Sequence, residues 1–137
     1  MAALNETRNA IHSVSGGLAS QGLMLMYHAD GVKLAASDDS VIIGVTAAES
    51  SRDASGALEN AGGTVAVYPL SGIVYIKAEA KADSGAGAKF GMPLYADAGG
   101  TGYVAWAAVD GNSTKVGYYM GETMDIALGD LVPVGVV

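Results

Sequence analysis

Few residues of this 137-residue chain have the chemistry of a catalytic or metal-binding group. His28 stands two residues before Asp30, the spacing at which a carboxylate can orient an imidazole as a general base. Such a base also needs a nucleophile, and no Gly-x-Ser-x-Gly turn is present; a structural or surface role fits His28 better. His12, the other histidine, lies near the start of the chain and suits a contact or solvent role. Cysteine is absent, which removes thiol catalysis, thiolate metal sites and disulfides. His28, Asp30 and the Asp38-Asp39 pair do not make a ligand set, because calcium loops need several oxygens at alternating positions. DAGGTGY (97–103) and DGNSTK (110–115) supply one aspartate each and read as turns closed by Asp or Asn side chains. SGAGAKFG (84–91) resembles a phosphate loop only superficially: its glycine spacing is wrong, no Ser or Thr follows Lys89, and no helical pattern comes after it. Any two of the 14 acids could meet in a fold, but spacing selects no pair. Neither a metal nor a cofactor is expected.

The elements that would carry these residues are short strands. The chain has 20 glycines and 3 prolines without a collagen period, a pattern of many tight turns. Val41–Thr46 (VIIGVT) is β-branched, and Gly44 within it marks a bulge or a close backbone approach. Further strand signals lie at 23–27, 32–36, 64–68, 73–78, 93–96, 103–108, 115–120 and 126–137. Pro69–Gly72, between two such runs, reads as a hairpin connection. Residues 47–61 fit a short helix or a long surface loop, and 82–91 a glycine-rich loop. VIIGVTAAES (41–50) and TKVGYYMGET (114–123) echo each other, with Gly44 matching Gly117 and Glu49 matching Glu122. Together these features predict an all-β fold, a compact β-sandwich or barrel with at most one or two short helices, over residues 21–137.

Half the residues are apolar and only 15% are charged, against about 25% in typical soluble domains. Bulk disorder is excluded, and a bland surface suits a protein that sits against something. The net charge of −7 is spread over single acids with no basic stripe, so nucleic acid is not an expected direct partner. The apolar stretch at 23–27 is far too short for a spanning helix, and MAALNETRNAIHSV has no secretion-signal pattern.

Residues 1–20 read as an extended arm. A short helix over Ile11, Val14 and Leu18 is the other reading, but Ser13, Ser15 and Gly16-Gly17 are poor helix formers. An extended arm can add a strand to a partner's sheet edge. Leu4, Ile11 and Val14 would then be its apolar anchors, and Glu6 and Arg8 its polar contacts. Such an arm would be mobile when free and ordered on its partner. Tyr95, Tyr103, Trp106 and Tyr118 are candidates for core or interface positions, with a sugar-binding face as the alternative.

The stretch GMPLYADAGGTGYVAWAAVDGNSTKVGYYMGET, followed by DLVPVGVV, resembles the phage head decoration, or capsid cement, proteins. The resemblance rests on Gly91 with Leu94-Tyr95 and Asp97, then Lys115-Val116-Gly117, then Leu131–Val137, and extends over about residues 30–137. It implies a non-enzymatic clamp on the outside of a mature icosahedral head. That clamp would contact the major capsid protein, partly through an N-terminal arm, and self-associate as a homotrimer at three-fold positions. The protein would be made in the host cytoplasm and end on the virion surface, with no membrane contact. A carbohydrate-binding or host-attachment module is the rival class, and a small β-barrel enzyme a third.

Overall fold

The computed structural model describes residues 10–15, 20–28, 31–36, 42–47, 54–57, 61–82, 87–108 and 114–137. Every regular element among them is a strand: β1 (Ala10–Ser15), β2 (Met24–His28), β3 (Gly31–Leu34), β4 (Ile42–Thr46), β5 (Ala61–Pro69), β6 (Ile73–Lys77), β7 (Pro93–Ala96), β8 (Val104–Ala105), β9 (Lys115–Tyr119) and β10 (Leu131–Val136). The fold is all-β, as the turn-punctuated apolar runs predict.

The strands belong to two compact units, residues 1–34 with 41–70 and residues 35–40 with 71–137, where the sequence suggested one domain behind an arm. β1 falls within the residues read as the arm. Ala10–Ser15 pairs antiparallel with β5 and parallel with β3, so Ile11 and Val14 sit in a sheet of the first unit and not in a free arm. Its serines and histidine gave a weak strand signal, and pairing on both sides overrides local preference. Leu4, Glu6 and Arg8 lie outside the described residues.

The first unit is a closed five-stranded barrel in the order β1-β3-β2-β4-β5, with β5 returning to β1. All its pairings are antiparallel except β1 with β3, which meet where Val14 lies opposite Val32. The second unit is a five-stranded sheet, β8-β7-β9-β10-β6, antiparallel throughout. Its two ends then meet in a single parallel bridge between Ala78, just past β6, and Val104 in β8. Matched in chain order, β1 with β6 through β5 with β10, the two units have the same neighbours and the same parallel contact. Their registers agree as well. Ala10 and His12 lie opposite Val67 and Val65; Val74 and Ile76 lie opposite Val134 and Val132. Two residues further on, Val14 and Ala78 make the parallel contacts.

The Gly44–Gly117 echo is one trace of this repetition in the sequence. Gly44 pairs with Leu25, and Met26 then pairs with Ile42, leaving Ile43 as an extra residue. Gly117 pairs with Leu94, and Tyr95 then pairs with Lys115, leaving Val116 extra. Each glycine thus adjoins a bulge, which bends a strand and increases its twist. Each also lets a neighbouring strand in close. A Cβ on Gly44 would strike the Tyr68 carbonyl oxygen and Val67 Cγ1, and one on Gly117 the Gly135 carbonyl oxygen and, at 3.1 Å, Val136 Cα. Of the echo's second pair, Glu122 is exposed and Glu49 lies outside the described residues.

Each unit has its own core. Leu25, Val32, Val65 and Val67 form that of the first, with Leu34 and Ile43 packed against it. Its buried Thr46 hydroxyl accepts from Leu23 N at 3.0 Å and donates to the Ser20 carbonyl at 2.7 Å, so this polar group is satisfied. In the second unit Ile76, Leu94, Val104, Val116, Tyr119, Val132 and Val134 are buried. Pro69–Gly72 does not close a hairpin: β5 pairs with β1 and β4, whereas β6 pairs with β10. Of segment 47–61, Ala54–Ala57 form an exposed turn and Ala61 opens β5.

Gly44→Val and Gly117→Val drive a side chain into a neighbouring strand, and each is expected to cost about 1–3 kcal/mol or more. Urea unfolding at equilibrium measures both. A loss below about 0.5 kcal/mol for either would show that the approach at that glycine is not required.

Candidate functional site

Strand parity sorts the second sheet into two faces. Ile76, Val132 and Val134 are buried, so the alternate residues of β6 and β10 face outward: Ile73, Tyr75, Leu131, Pro133 and Gly135. One row runs across four strands, Ile73–Gly135–Tyr118–Pro93. Ile73 and Tyr75 are 58% and 60% exposed, Leu131 41% and Tyr118 37%. No aspartate or glutamate occupies an outward strand position here; the charged members are Lys77 and Lys115. The Lys115 ammonium donates to the Tyr118 hydroxyl at 2.7 Å and sits 4.4 Å from the ring centroid. That hydrogen bond holds the lysine above its ordinary pKa. A groove of about 380 Å³ adjoins this face, lined by Tyr75, Tyr119, Thr123, Ile126, Asp130 and Pro133. Asp130 is committed to a turn there, accepting from Ala127 N at 2.9 Å.

A second cluster lies where the ends of the same sheet meet. Glu79 follows the Ala78–Val104 bridge, donating its N–H to the Val104 carbonyl at 2.9 Å. Its own carbonyl accepts from Trp106 Nε1 at 2.8 Å. Its carboxyl group is hydrogen-bonded to that of Asp97, at the end of β7. Asp97 accepts from the Thr101 hydroxyl at 2.7 Å and from the backbone of Gly99 and Ala98. Desolvation and the Asp97 carboxyl push Glu79 up to about 7. Asp97 itself goes down: burial works against its charge, but the donors of Thr101 and the turn, with the Glu79 hydrogen bond, outweigh that. The two carboxyls therefore share one proton, held mainly on Glu79. Thr101 also accepts from Tyr103 N at 3.2 Å, so DAGGTGY is the aspartate-closed turn its composition suggests.

The aromatic candidates separate. Tyr118 is exposed on the outward face; Tyr95 and Tyr103 are half-buried. Trp106 takes the core position of the two its type suggests. It is turned inward, its ring edge-on to Tyr119 at 5.2 Å between centroids and 79° between planes. Tyr75, which spacing did not single out, is the more exposed aromatic of the sheet face. His12 and His28 lie on β1 and β2, and Asp30 is outside the described residues. SGAGAKFG leads into strand β7, not a helix. Among the described residues, no three metal-ligating side chains cluster, and no helix is long and apolar enough to cross a membrane.

No protein-family model matches the chain, and none of the curated proteins is measurably similar to it.

The carboxyl pair sets a pH dependence of stability. Glu79 titrates at about 7 when folded, against an ordinary 4.5. The folded state therefore holds an extra proton between these values, and stability falls as pH rises from about 4.5 to about 7. Asp97 is lowered, so its contribution is present above 3.8 and is lost as pH falls through its folded value. Urea midpoints at pH 5, 6 and 7.5 should decline in that order for the wild type and stay level for Glu79→Gln. A wild-type midpoint that rises over this range would contradict the assignment.

Proposed function

We propose that this chain is a non-enzymatic capsid decoration protein, which binds the outer surface of a mature icosahedral head and stabilises it by bridging neighbouring major capsid protein subunits. The observation that carries the reading is the outward face of the second sheet, where Ile73, Tyr75, Tyr118 and Leu131 lie exposed on adjoining strands. Contiguous apolar surface of this kind marks protein–protein contacts. The sequence resemblance to capsid cement proteins over residues 30–137 supports the same reading. The absence of carboxylates from the outward strand positions matters because the chain as a whole carries −7: this face can approach a partner without the like-charge repulsion the rest of the molecule would bring.

The mechanism is linkage. A protein that binds the mature lattice and not its ruptured form adds RT ln(1 + [L]/Kd) to the lattice's stability at each site. Many copies per shell, arranged as trimers around three-fold positions, would multiply that contribution against the pressure of packaged DNA. Neither a cofactor nor a direct nucleic-acid contact is needed.

A glycan-binding attachment module is the second reading, favoured by the groove beside Tyr75, since an exposed tyrosine ring next to polar groups is a stacking platform for sugars. Co-sedimentation with expanded shells and binding to a glycan array separate the two. The purified chain should pellet with shells and leave the array bare. Ile73→Ser with Tyr75→Ser should weaken shell binding at least about tenfold, or ~1.4 kcal/mol, while the urea midpoint holds, because both side chains are exposed. Shell binding unchanged by the double substitution would remove this face from the mechanism, and glycan binding without shell binding would replace the reading altogether.

A further inference from the structure

We propose that Glu79 and Asp97 form a proton-dependent clasp that holds the two ends of the second sheet together and loosens them when Glu79 ionises. The sheet order β8-β7-β9-β10-β6 leaves β6 and β8 at opposite ends, and they meet through one bridge, Ala78 with Val104, and the Glu79 N–H to Val104 carbonyl bond beside it. β8 has only two residues, so little ladder reinforces that joint. Glu79 is the next residue after the bridge on one side, and Asp97 directly follows β7, the strand paired with β8, on the other. A bond between their carboxyls therefore crosses the joint.

The clasp is also asymmetric in a way that assigns the proton. Asp97 is fixed by donors alone: the Thr101 hydroxyl and the backbone of Ala98 and Gly99. Each of these favours the carboxylate. Among the described residues Glu79 has no such donor, and it takes the proton that makes an O–H···O⁻ bond to Asp97, a charge-assisted bond stronger than a neutral one. Burial and the Asp97 carboxyl together push Glu79 up to about 7. Of the charged groups that face the pair from the elements around it, each carboxyl has the other; among the described residues no lysine, arginine or histidine contributes to either. When Glu79 loses its proton the strong bond becomes a contact between two like charges with no cation to offset it. In the first barrel the residue following the equivalent contact, after Val14, is Ser15, which has no charge to lose.

The molecule carries its own reporter. Trp106 is the sole tryptophan, and its indole N–H is bonded to the Glu79 carbonyl. Tryptophan emission of the full chain is titrated from pH 5 to 9, alongside Glu79→Gln and Asp97→Asn, with hydrogen-exchange protection of the Glu79 amide measured at pH 5.5 and 8.5. The wild type should show one emission step with a midpoint near 7 and lose amide protection above it. Glu79→Gln, which keeps a neutral donor, should show no step and hold its protection at both pH values. Asp97→Asn removes the facing charge and should move the midpoint down by about one pH unit or more. A wild-type emission and protection that stay constant from pH 5 to 9 would overturn the proposal without reference to any variant. So would a step at the same midpoint in Glu79→Gln, which would assign the transition to another group.

Discussion

Five strands curl into a closed sheet only where backbones come nearer than side chains ordinarily allow. In this protein that approach is made at Gly44 and Gly117, the centres of β4 and β9. At each, a missing Cβ admits the carbonyl of a neighbouring strand, and the adjoining extra residue, Ile43 or Val116, supplies the bend. The parallel contacts that complete the two circuits, Val14 with Val32 and Ala78 with Val104, depend on that curvature. So do the cores, because the residues that become buried are those on the concave side of each curled sheet.

Closure also decides how the protein can meet a partner. A strand edge is a template for another chain, and a circuit uses most of its edges up. Recognition is left to faces and turns. In the second unit the inner face is filled by Ile76, Leu94, Tyr119, Val132 and Val134, and the outer face by Ile73, Tyr75, Tyr118 and Leu131. β8 is the shortest strand of that unit, and its joint with β6 is where the carboxyl pair, the Trp106 bond and the Thr101 turn are gathered. The exposed apolar face and the joint thus share one sheet, which gives the state of the joint a route to the geometry of the face.

Much of the strand content was legible because VIIGVT, IVYIK and KVGYY combine β-branched or aromatic residues with turn signals on both sides. β1 was not, because AIHSVS owes its strand conformation to β3 and β5 and not to its own residues. The repeated topology surfaced in the sequence only as the Gly44–Gly117 echo. A close approach requires glycine at both 44 and 117, whereas positions such as His12 and Ile76 share a register place with no shared side-chain chemistry. Pro69–Gly72 reads as a hairpin because strands adjacent in sequence commonly pair, but β5 and β6 join different sheets. Parity alone could not say whether Tyr75 or Ile76 faces inward; the pairing with Pro133 and Val132 decides it. The Glu79–Asp97 pair was invisible for the same reason, since a bridge between the ends of a sheet brings together residues that no local spacing relates.

The central claim is that the outward face of the second sheet is the surface that grips the shell. An electron cryo-microscopy reconstruction of shells decorated with this protein tests it most directly. The account predicts density in groups of three around three-fold positions, with Ile73, Tyr75, Tyr118 and Leu131 covered by the major capsid protein. Decorated shells in which those four side chains face solvent in every copy would contradict it.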